Sequence, residues 1–205
     1  MTGVKIILLI IAAYFIGAIP SGYIITMAFH KKDIRQYGSG NIGFTNVLRT
    51  VGVLTGFIVL IIDAGKGFAV TYFLPQLFEK VALFRLLFGI TVILGNIFTP
   101  FLGFKGGKGV GTGLGVALAV NPFSVLFALV GFATAVLSTK FVSIGSLLAS
   151  AIYLASNTVF YLKAGRDVYS FLFALLLFVV IVLRHLANIK RLLHGEENKI
   201  GIKKG

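Results

Sequence analysis

Long apolar runs alternate with short polar segments along this chain. The runs cover about 4–28, 53–74, 83–102, 110–121, 123–139, 141–162 and 168–187. A transmembrane helix needs roughly 20 predominantly apolar residues, and six of the runs come close to that length. The fourth ends at Asn121-Pro122 and is too short to cross unaided, so it must tilt, thin the bilayer or shelter among its neighbours. The pattern predicts an all-α, polytopic bundle of seven transmembrane helices forming a single domain over residues 1–205. The first run is too long for the apolar core of a signal peptide, lacks an A-x-A site and is followed by further spans, which makes it a retained helix. Gly107, Gly111 and Gly115 form a small-xxx-small row suited to close helix packing.

Composition agrees with the runs. The chain is 58% hydrophobic and 12% charged, which no soluble domain of 205 residues could bury. The net charge is +13, yet no polar domain carries it, so nucleic acid is not an expected partner. Cysteine is absent, which removes thiol nucleophiles, disulfides and cysteine metal sites.

The positions of the charges orient the bundle. With the N-terminus outside, the inner segments hold Lys31, Lys32, Arg35, Arg49, Lys105, Lys108, Lys140, Arg184, Lys190, Arg191, Lys199, Lys203 and Lys204. The outer ones hold Lys5, Lys80, Arg85, Lys163 and Arg166, a balance of thirteen to five. Seven spans then put the C-terminus in the cytoplasm. Three basic segments land on that same face: Gly38 to Arg49, Lys105 to Thr112 and Arg184 to Arg191.

The first segment literally matches G-x-G-x-x-G, but no strand precedes it and no acid follows at dinucleotide spacing, so it is not a nucleotide fingerprint. Its glycines, Gly40 among them, expose backbone N–H groups. Ser39, Asn41, Thr45 and Asn46 add side-chain hydrogen-bonding groups, and Arg49 a planar fork suited to phosphate. The bland alternative is a glycine-rich turn entering the second span. In the second segment, Gly106, Gly107 and Gly109 surround Lys108, and Thr112 follows. Gly109 occupies the place of a P-loop's metal-binding hydroxyl, which leaves a metal-free phosphate cradle of helix-terminal amides with Lys108 as a point charge. Its alternative is a flexible loop flanked by topology lysines. The third segment closes the last span with Arg184 and His185, and Asn188 follows on the same helix face. Interfacial snorkelling accounts for Arg184, Lys190 and Arg191 taken alone. Asp63 and Lys66 lie one turn apart inside the second span, where they either neutralise each other or serve a site. The six acids, Asp33, Asp63, Glu79, Asp167, Glu196 and Glu197, form no carboxylate metal cage. Metal-dependent hydrolase and kinase chemistry is therefore not expected, and no cofactor is called for.

Taken together the motifs resemble the bacterial acyl-phosphate:glycerol-3-phosphate acyltransferase family (PlsY) over nearly the whole chain. The family's G-S-G-N-x-G-A-T-N-x-x-R-x-x-G is similar to Gly38–Gly52, with Phe44 for alanine. Its K-G-G-K-G-V-A-T-x-x-G is similar to Lys105–Gly115, with Gly111 for alanine. Its R-H-x-x-N-I-x-R-L-x-x-G-x-E matches Arg184 to Glu197. Asp63 and Lys66 match a D-x-x-K-G pattern, and Ser143 falls in a Y-V-S segment with Phe141 for tyrosine. Asn96 stands where the family often has histidine.

The resemblance implies a seven-helix enzyme of the bacterial cytoplasmic (inner) membrane with its active site on the cytoplasmic face. It would transfer a fatty acyl group from acyl phosphate to the 1-hydroxyl of sn-glycerol 3-phosphate, giving lysophosphatidate and phosphate, the first acylation of phospholipid synthesis. Its partners would be those two substrates, membrane lipids and a soluble enzyme that makes acyl phosphate. None of His30, His185 and His194 begins the H-x-x-x-x-D of thioester-dependent acyltransferases. In this reading Lys108 and Arg49 stabilise developing charge, and Ser39, Asn41, His185 and Asn188 orient the substrates. Ser143, Arg184 and the glycines assist phosphate binding, while Asp63, Lys66 and Glu197 give support. His185 is expected to act as a hydrogen-bond donor, since Glu196 and Glu197 would lie about 16 Å along a continued helix. The rival classes are a transporter or channel for a phosphorylated anion and a lipid-binding scaffold without turnover.

Overall fold

The computed structural model describes residues 3–165 and 167–201. Arg166, Lys203 and Lys204, three of the charges used for orientation above, lie outside the described residues. All regular structure among the described residues is helical: α1 (Gly3–Ala18), α2 (Ser21–His30), α3 (Phe44–Val51), α4 (Val53–Phe73), α5 (Val81–Ile97), α6 (Val110–Val120), α7 (Pro122–Thr139), α8 (Val142–Ala164), α9 (Val168–Arg184) and α10 (Leu186–Leu193). Among the described residues four helices are long and apolar enough to cross a membrane alone, and up to six if each of two bent pairs is one span.

Two of the expected spans are thus bent pairs of helices. The run 4–28 divides into α1 and α2 with a bend of 40°. Pro20 lacks the N–H that would continue the helix, and its ring opposes the carbonyl four residues back. The run 168–187 ends as α9 at Arg184, and α10 leaves it at 54°. At 11 residues α6 is roughly 17 Å long, far short of a hydrocarbon core of about 30 Å.

Two compact units form, residues 1–120 and 121–205. In the first, glycines set the helix spacing. A Cβ at Gly17 would collide with the Val92 carbonyl, and one at Gly95 with the Tyr14 carbonyl, so α1 and α5 touch backbone to backbone. Gly67 and Gly115 do the same for α4 and α6, against the carbonyls of Thr112 and Ala64. The predicted small-residue row is therefore only partly a helix face. Gly111 and Gly115 pack on α4, whereas Gly107 precedes α6 and lies against Asn96.

The α1–α2 break leaves carbonyls that need donors. Thr99 Oγ1 donates to Ala18 at 2.6 Å, and Lys66 Nζ donates to Ile19 at 2.9 Å. Lys66 is also paired with Asp63 at 2.8 Å, the two side chains being 7% and 10% exposed. The intramembrane pair thus neutralises itself and closes the break, as buried charge requires.

In the second unit α7 packs on α8 and α8 on α9. Asn121 caps α7 and donates to Asn157 Oδ1 at 3.0 Å, while Ser124 and Ser156 meet at 2.9 Å. Asp167 caps α9 through the Ser170 N–H at 2.9 Å. These pairs satisfy buried polar atoms in a bundle whose outer surface is apolar, with Leu126, Phe127, Val130 and Leu162 all exposed.

Candidate active site

The first basic segment lies on a small apolar platform. Ile25, Ile34, Ile42, Val47 and Val59 form a buried cluster, with Tyr23, Val51 and Leu102 packed against it. Above it the loop turns through Gly38 and Gly40, both in the left-handed region at φ 58° and 70°, which glycine adopts without steric cost. Asn46 on α3 ties the loop together. Its Nδ2 lies within hydrogen-bonding distance of the carbonyls of Ile34 (3.2 Å), Tyr37 (2.9 Å) and Asn41 (2.9 Å), and its Oδ1 accepts from the Ser39 N–H at 3.0 Å. The expected ligand amide of Asn46 is thus engaged within the protein and shapes the loop. Asn41 Oδ1 accepts from the Gly43 N–H at 2.9 Å. Ser39 is exposed, and Asn41, Thr45 and Arg49 are half-buried around this frame.

The last part of the first segment is a helix, α3, where the bland alternative was a glycine-rich turn. It runs from Phe44 to Val51, held where Gly56 of α4 meets Leu48. Phe44 turns its ring to Phe57 of α4, centroids 5.3 Å apart. Phe57 is itself exposed on the apolar surface, so the phenyl ring that replaces the family alanine packs on α4.

The second segment departs from expectation in a defined way. The N–H groups of Gly106 and Gly107 donate to the carbonyls of Ile97 and Asn96, both at 3.0 Å. They cap the end of α5 and are unavailable to an anion, which corrects the cradle inferred for these two amides. The physical reason is that α5 stops before Pro100, leaving its last carbonyls without helical donors. Gly109, at φ 79°, turns the chain into α6, and a Cβ there would stand 3.1 Å from the Ile93 and Ile97 side chains. Lys105 is exposed and Lys108 half-buried just ahead of that helix. Thr112, in the first turn of α6, is fully buried with a hydroxyl that finds no protein partner. A helix N-terminus, a half-buried lysine and an unsatisfied hydroxyl form an arrangement able to hold an anion.

In the second unit the C-terminal segment doubles back. α10 ends in a Schellman cap: Gly195 is left-handed at φ 72°, the Glu196 N–H reaches Arg191 O at 2.8 Å and the Gly195 N–H reaches Leu192 O at 3.2 Å. Glu197 therefore returns alongside α10, which corrects the separation assumed from a continuous helix. Its Oε1 accepts from Asn188 Nδ2 at 2.7 Å and its Oε2 from Arg191 Nε at 2.8 Å. Ile200 N–H donates to Lys140 O at 2.9 Å, so the segment docks at the start of α8. Burial opposes ionisation of Glu197 most strongly, but the Asn188 and Arg191 hydrogen bonds and the Arg191 charge outweigh it. Ser143, buried at the start of α8, adds the smallest share of the same effect. The carboxyl is thus held below its ordinary value.

His185 occupies the α9–α10 break, with Arg184 half-buried just before it. His185 is 2% exposed, and its Nδ1 lies 2.8 Å from Ile181 O. A carbonyl can only accept, so Nδ1 carries the hydrogen and the neutral ring has its lone pair at Nε2. The expected donor role is thereby restricted: from Nε2 only the imidazolium donates, whereas the neutral ring accepts. Arg191, read as an interfacial charge, was missed as the partner of Glu197. The glycine at position 195, a helix stop in the sequence, was the available signal.

Among the described residues no three His, Asp or Glu side chains gather to hold a metal. Four of the carboxylates are committed inside the protein: Asp33 to Arg35, Asp63 to Lys66, Asp167 to the α9 cap and Glu197 as above.

Comparison with known proteins gives one consistent result. The family described as glycerol-3-phosphate acyltransferase matches residues 7–195. A glycerol-3-phosphate acyltransferase of Staphylococcus saprophyticus is 41% identical over 202 residues, covering 95% of this chain and 98% of the relative. Two crystal structures of PlsY (YgiH), described as an integral membrane glycerol 3-phosphate acyltransferase, are similar at 35% identity over 95% of both chains. One is a glycerol 3-phosphate form with a TM-score of 0.87, the other a lysophosphatidic acid form with 0.84.

Proposed function

Because the chain belongs to the glycerol-3-phosphate acyltransferase family, we propose that it transfers a fatty acyl group from acyl phosphate to the 1-hydroxyl of sn-glycerol 3-phosphate. The products are lysophosphatidate and inorganic phosphate, and the step is the first acylation of phospholipid synthesis. The observation that carries this reading is the close likeness, over 95% of both chains, to a protein crystallised in a glycerol 3-phosphate and a lysophosphatidic acid form. The acyl phosphate donor is supported by the chain's own chemistry. It has no cysteine nucleophile and no H-x-x-x-x-D pair, whereas cationic donors flank its polar segments.

The reaction we infer is direct. The glycerol oxygen attacks the acyl carbonyl carbon, the bond from that carbon to the phosphate oxygen breaks, and the hydroxyl proton passes to a phosphate oxygen. Lys108 and Arg49 stabilise the negative charge that develops, usually the largest catalytic contribution. Thr112 and the first turn of α6 hold phosphate. Ser39 and Asn41 orient one substrate, and His185 and Asn188 orient the reacting groups, with Ser143 and Arg184 assisting. The glycines shape the backbone, while Asp63, Lys66 and Glu197 keep these groups in place.

The same reading makes residues 1–205 one acyltransferase domain in the bacterial cytoplasmic membrane. Seven spans then place the N-terminus outside and the C-terminus and active site at the cytoplasmic face, where the charge balance of thirteen to five puts the basic segments. A soluble enzyme that makes acyl phosphate would supply the donor.

Phosphate release by the purified protein in detergent tests the proposal. Release should require both acyl phosphate and glycerol 3-phosphate and should persist in excess EDTA, since four carboxylates are already committed within the protein. Activity lost in EDTA and restored specifically by Mg²⁺ would overturn the metal-free mechanism. Glycerol 3-phosphate flux into vesicles without acyl transfer would favour the transporter class.

A further inference from the structure

Asp63 lies where three parts of the first unit meet. Its Oδ1 accepts from Ser21 Oγ at 2.9 Å and is paired with Lys66 Nζ at 2.8 Å. Ser21 opens α2, and the next residue, Gly22, is so close to the loop that a Cβ there would strike the Ile42 carbonyl. Ile42 follows Asn41 in the first basic segment. On the other side, a Cβ at Gly111 would stand 3.1 Å from Asp63 Cβ and 3.7 Å from its Oδ2. Gly111 is in the first turn of α6, directly after Lys108 to Val110.

We propose that Asp63 is a positioning residue that sets the Ser39–Asn41 loop and the Lys108 end of α6 at a fixed separation, acting through Ser21 on one side and Gly111 on the other. The inference rests on the proposed function, in which these two segments hold the reacting substrates. The connection is stiff because each link is short. A hydrogen bond fixes Asp63 to the start of α2, backbone contact fixes α2 to the loop, and the absence of a side chain at Gly111 lets α6 approach Asp63 more closely than a Cβ there would comfortably allow. Lys66 has a different task. By donating to Ile19 O it closes the broken helix, and its ammonium shares Asp63 Oδ1 with the Ser21 hydroxyl. Small shifts matter here, because a misplacement of about 1 Å can cost on the order of 100-fold in rate.

Asp63→Ala would strand the Lys66 charge in the bundle and is open to simple misfolding, so Ser21→Ala is the informative variant. It removes one hydroxyl and leaves the ion pair whole. Thr99→Ala is its control, since Thr99 Oγ1 braces the same helix break at Ala18 without touching Asp63. Each variant is purified in detergent, its folded fraction measured by size exclusion and thermal midpoint, and kcat and KM determined by phosphate release. Ser21→Ala should lower kcat per folded molecule about tenfold, with KM for glycerol 3-phosphate changed less than about twofold. Thr99→Ala should lower the thermal midpoint while kcat per folded molecule stays at the wild-type value. Wild-type kcat in Ser21→Ala, or an equal fall in Thr99→Ala, would overturn the positioning role. Absence of turnover in the wild type would instead refute the proposed function, so the two failures are distinguishable.

Discussion

Glu197→Ala is the substitution for which the structure yields the most definite expectation. It deletes the acceptor of Asn188 Nδ2 at 2.7 Å and of Arg191 Nε at 2.8 Å. Asn188 and Glu197 are 5% and 6% exposed, so their charge-assisted bond should be worth about 1.5–3 kcal/mol. The Arg191 side chain is 33% exposed, and solvent screening limits its bridge to about 1 kcal/mol or less. The Asn188 side chain, no longer held, loses its orientation, which should lower kcat by roughly 10- to 100-fold. Three variants separate the contributions. Glu197→Gln keeps an oxygen acceptor for Asn188 and should lose less than Glu197→Ala. Arg191→Met breaks only the screened bridge and should stay within about threefold of wild type. Phosphate release and thermal midpoints, measured together in detergent, give the ranking.

The pH dependence supplies a second check. The Glu197 carboxyl is held below its ordinary value of 4.5, so its stabilisation is complete above that value. It is lost only as pH falls through the lower, folded-state value. The deficit of Glu197→Ala should accordingly be constant between pH 6 and 8. If Arg191→Met proves as harmful as Glu197→Ala, or if Glu197→Ala keeps wild-type kcat, Glu197 does not act through Asn188.

Substitutions at the lysines of the second segment and at His185 supply two further checks. Lys108→Ala should cost about 100-fold or more in kcat, as for a lost electrostatic donor, whereas exposed Lys105→Ala should cost little; equal mild losses with correct insertion would leave both as topology lysines. At His185, Gln places an amide near the Nε2 position and Asn places one near Nδ1, so a role in orienting substrate through Nε2 predicts more activity in His185→Gln than in His185→Asn or His185→Ala. If all three are equally crippled and the wild-type rate falls through a pH of about 6.5, His185 is the general base.

The long apolar helices were legible because hydropathy reports burial in lipid directly. Runs read at 53–74, 123–139 and 141–162 became Val53–Phe73, Pro122–Thr139 and Val142–Ala164. The breaks were not, because a bent helix keeps the same apolar composition on both sides. Pro20 marked the first break, but the carbonyls it released needed Thr99 and Lys66 from distant parts of the chain. The Asp63–Lys66 pair was visible as a charge problem, while its acceptor, Ile19 O, was not. The short α3 was hidden for another reason. Its residues Phe44 to Val51 follow a glycine-rich stretch whose local preference is a turn, and only the platform under Val47 makes the helix worthwhile.

The glycines show how one composition can serve several mechanical ends. Their concentration beside Lys108 suggested a row of amides facing an anion. In the structure Gly106 and Gly107 close the end of α5, Gly109 turns the chain, and Gly111 and Gly115 admit α4. What these glycines give the site is a fixed entry into α6, with Lys108 and Thr112 at its start. The same logic explains why the family pattern tolerates the departure at position 96. The Gly107 N–H is received by the Asn96 main-chain carbonyl, an acceptor any residue there supplies. Phe44 is accommodated because its ring packs on Phe57, clear of the Asn46 hydrogen bonds that hold the loop. Both of these departures lie where main chain or apolar packing carries the geometry, and Ser39, Arg49, Lys108, His185 and Asn188 all match the family motifs.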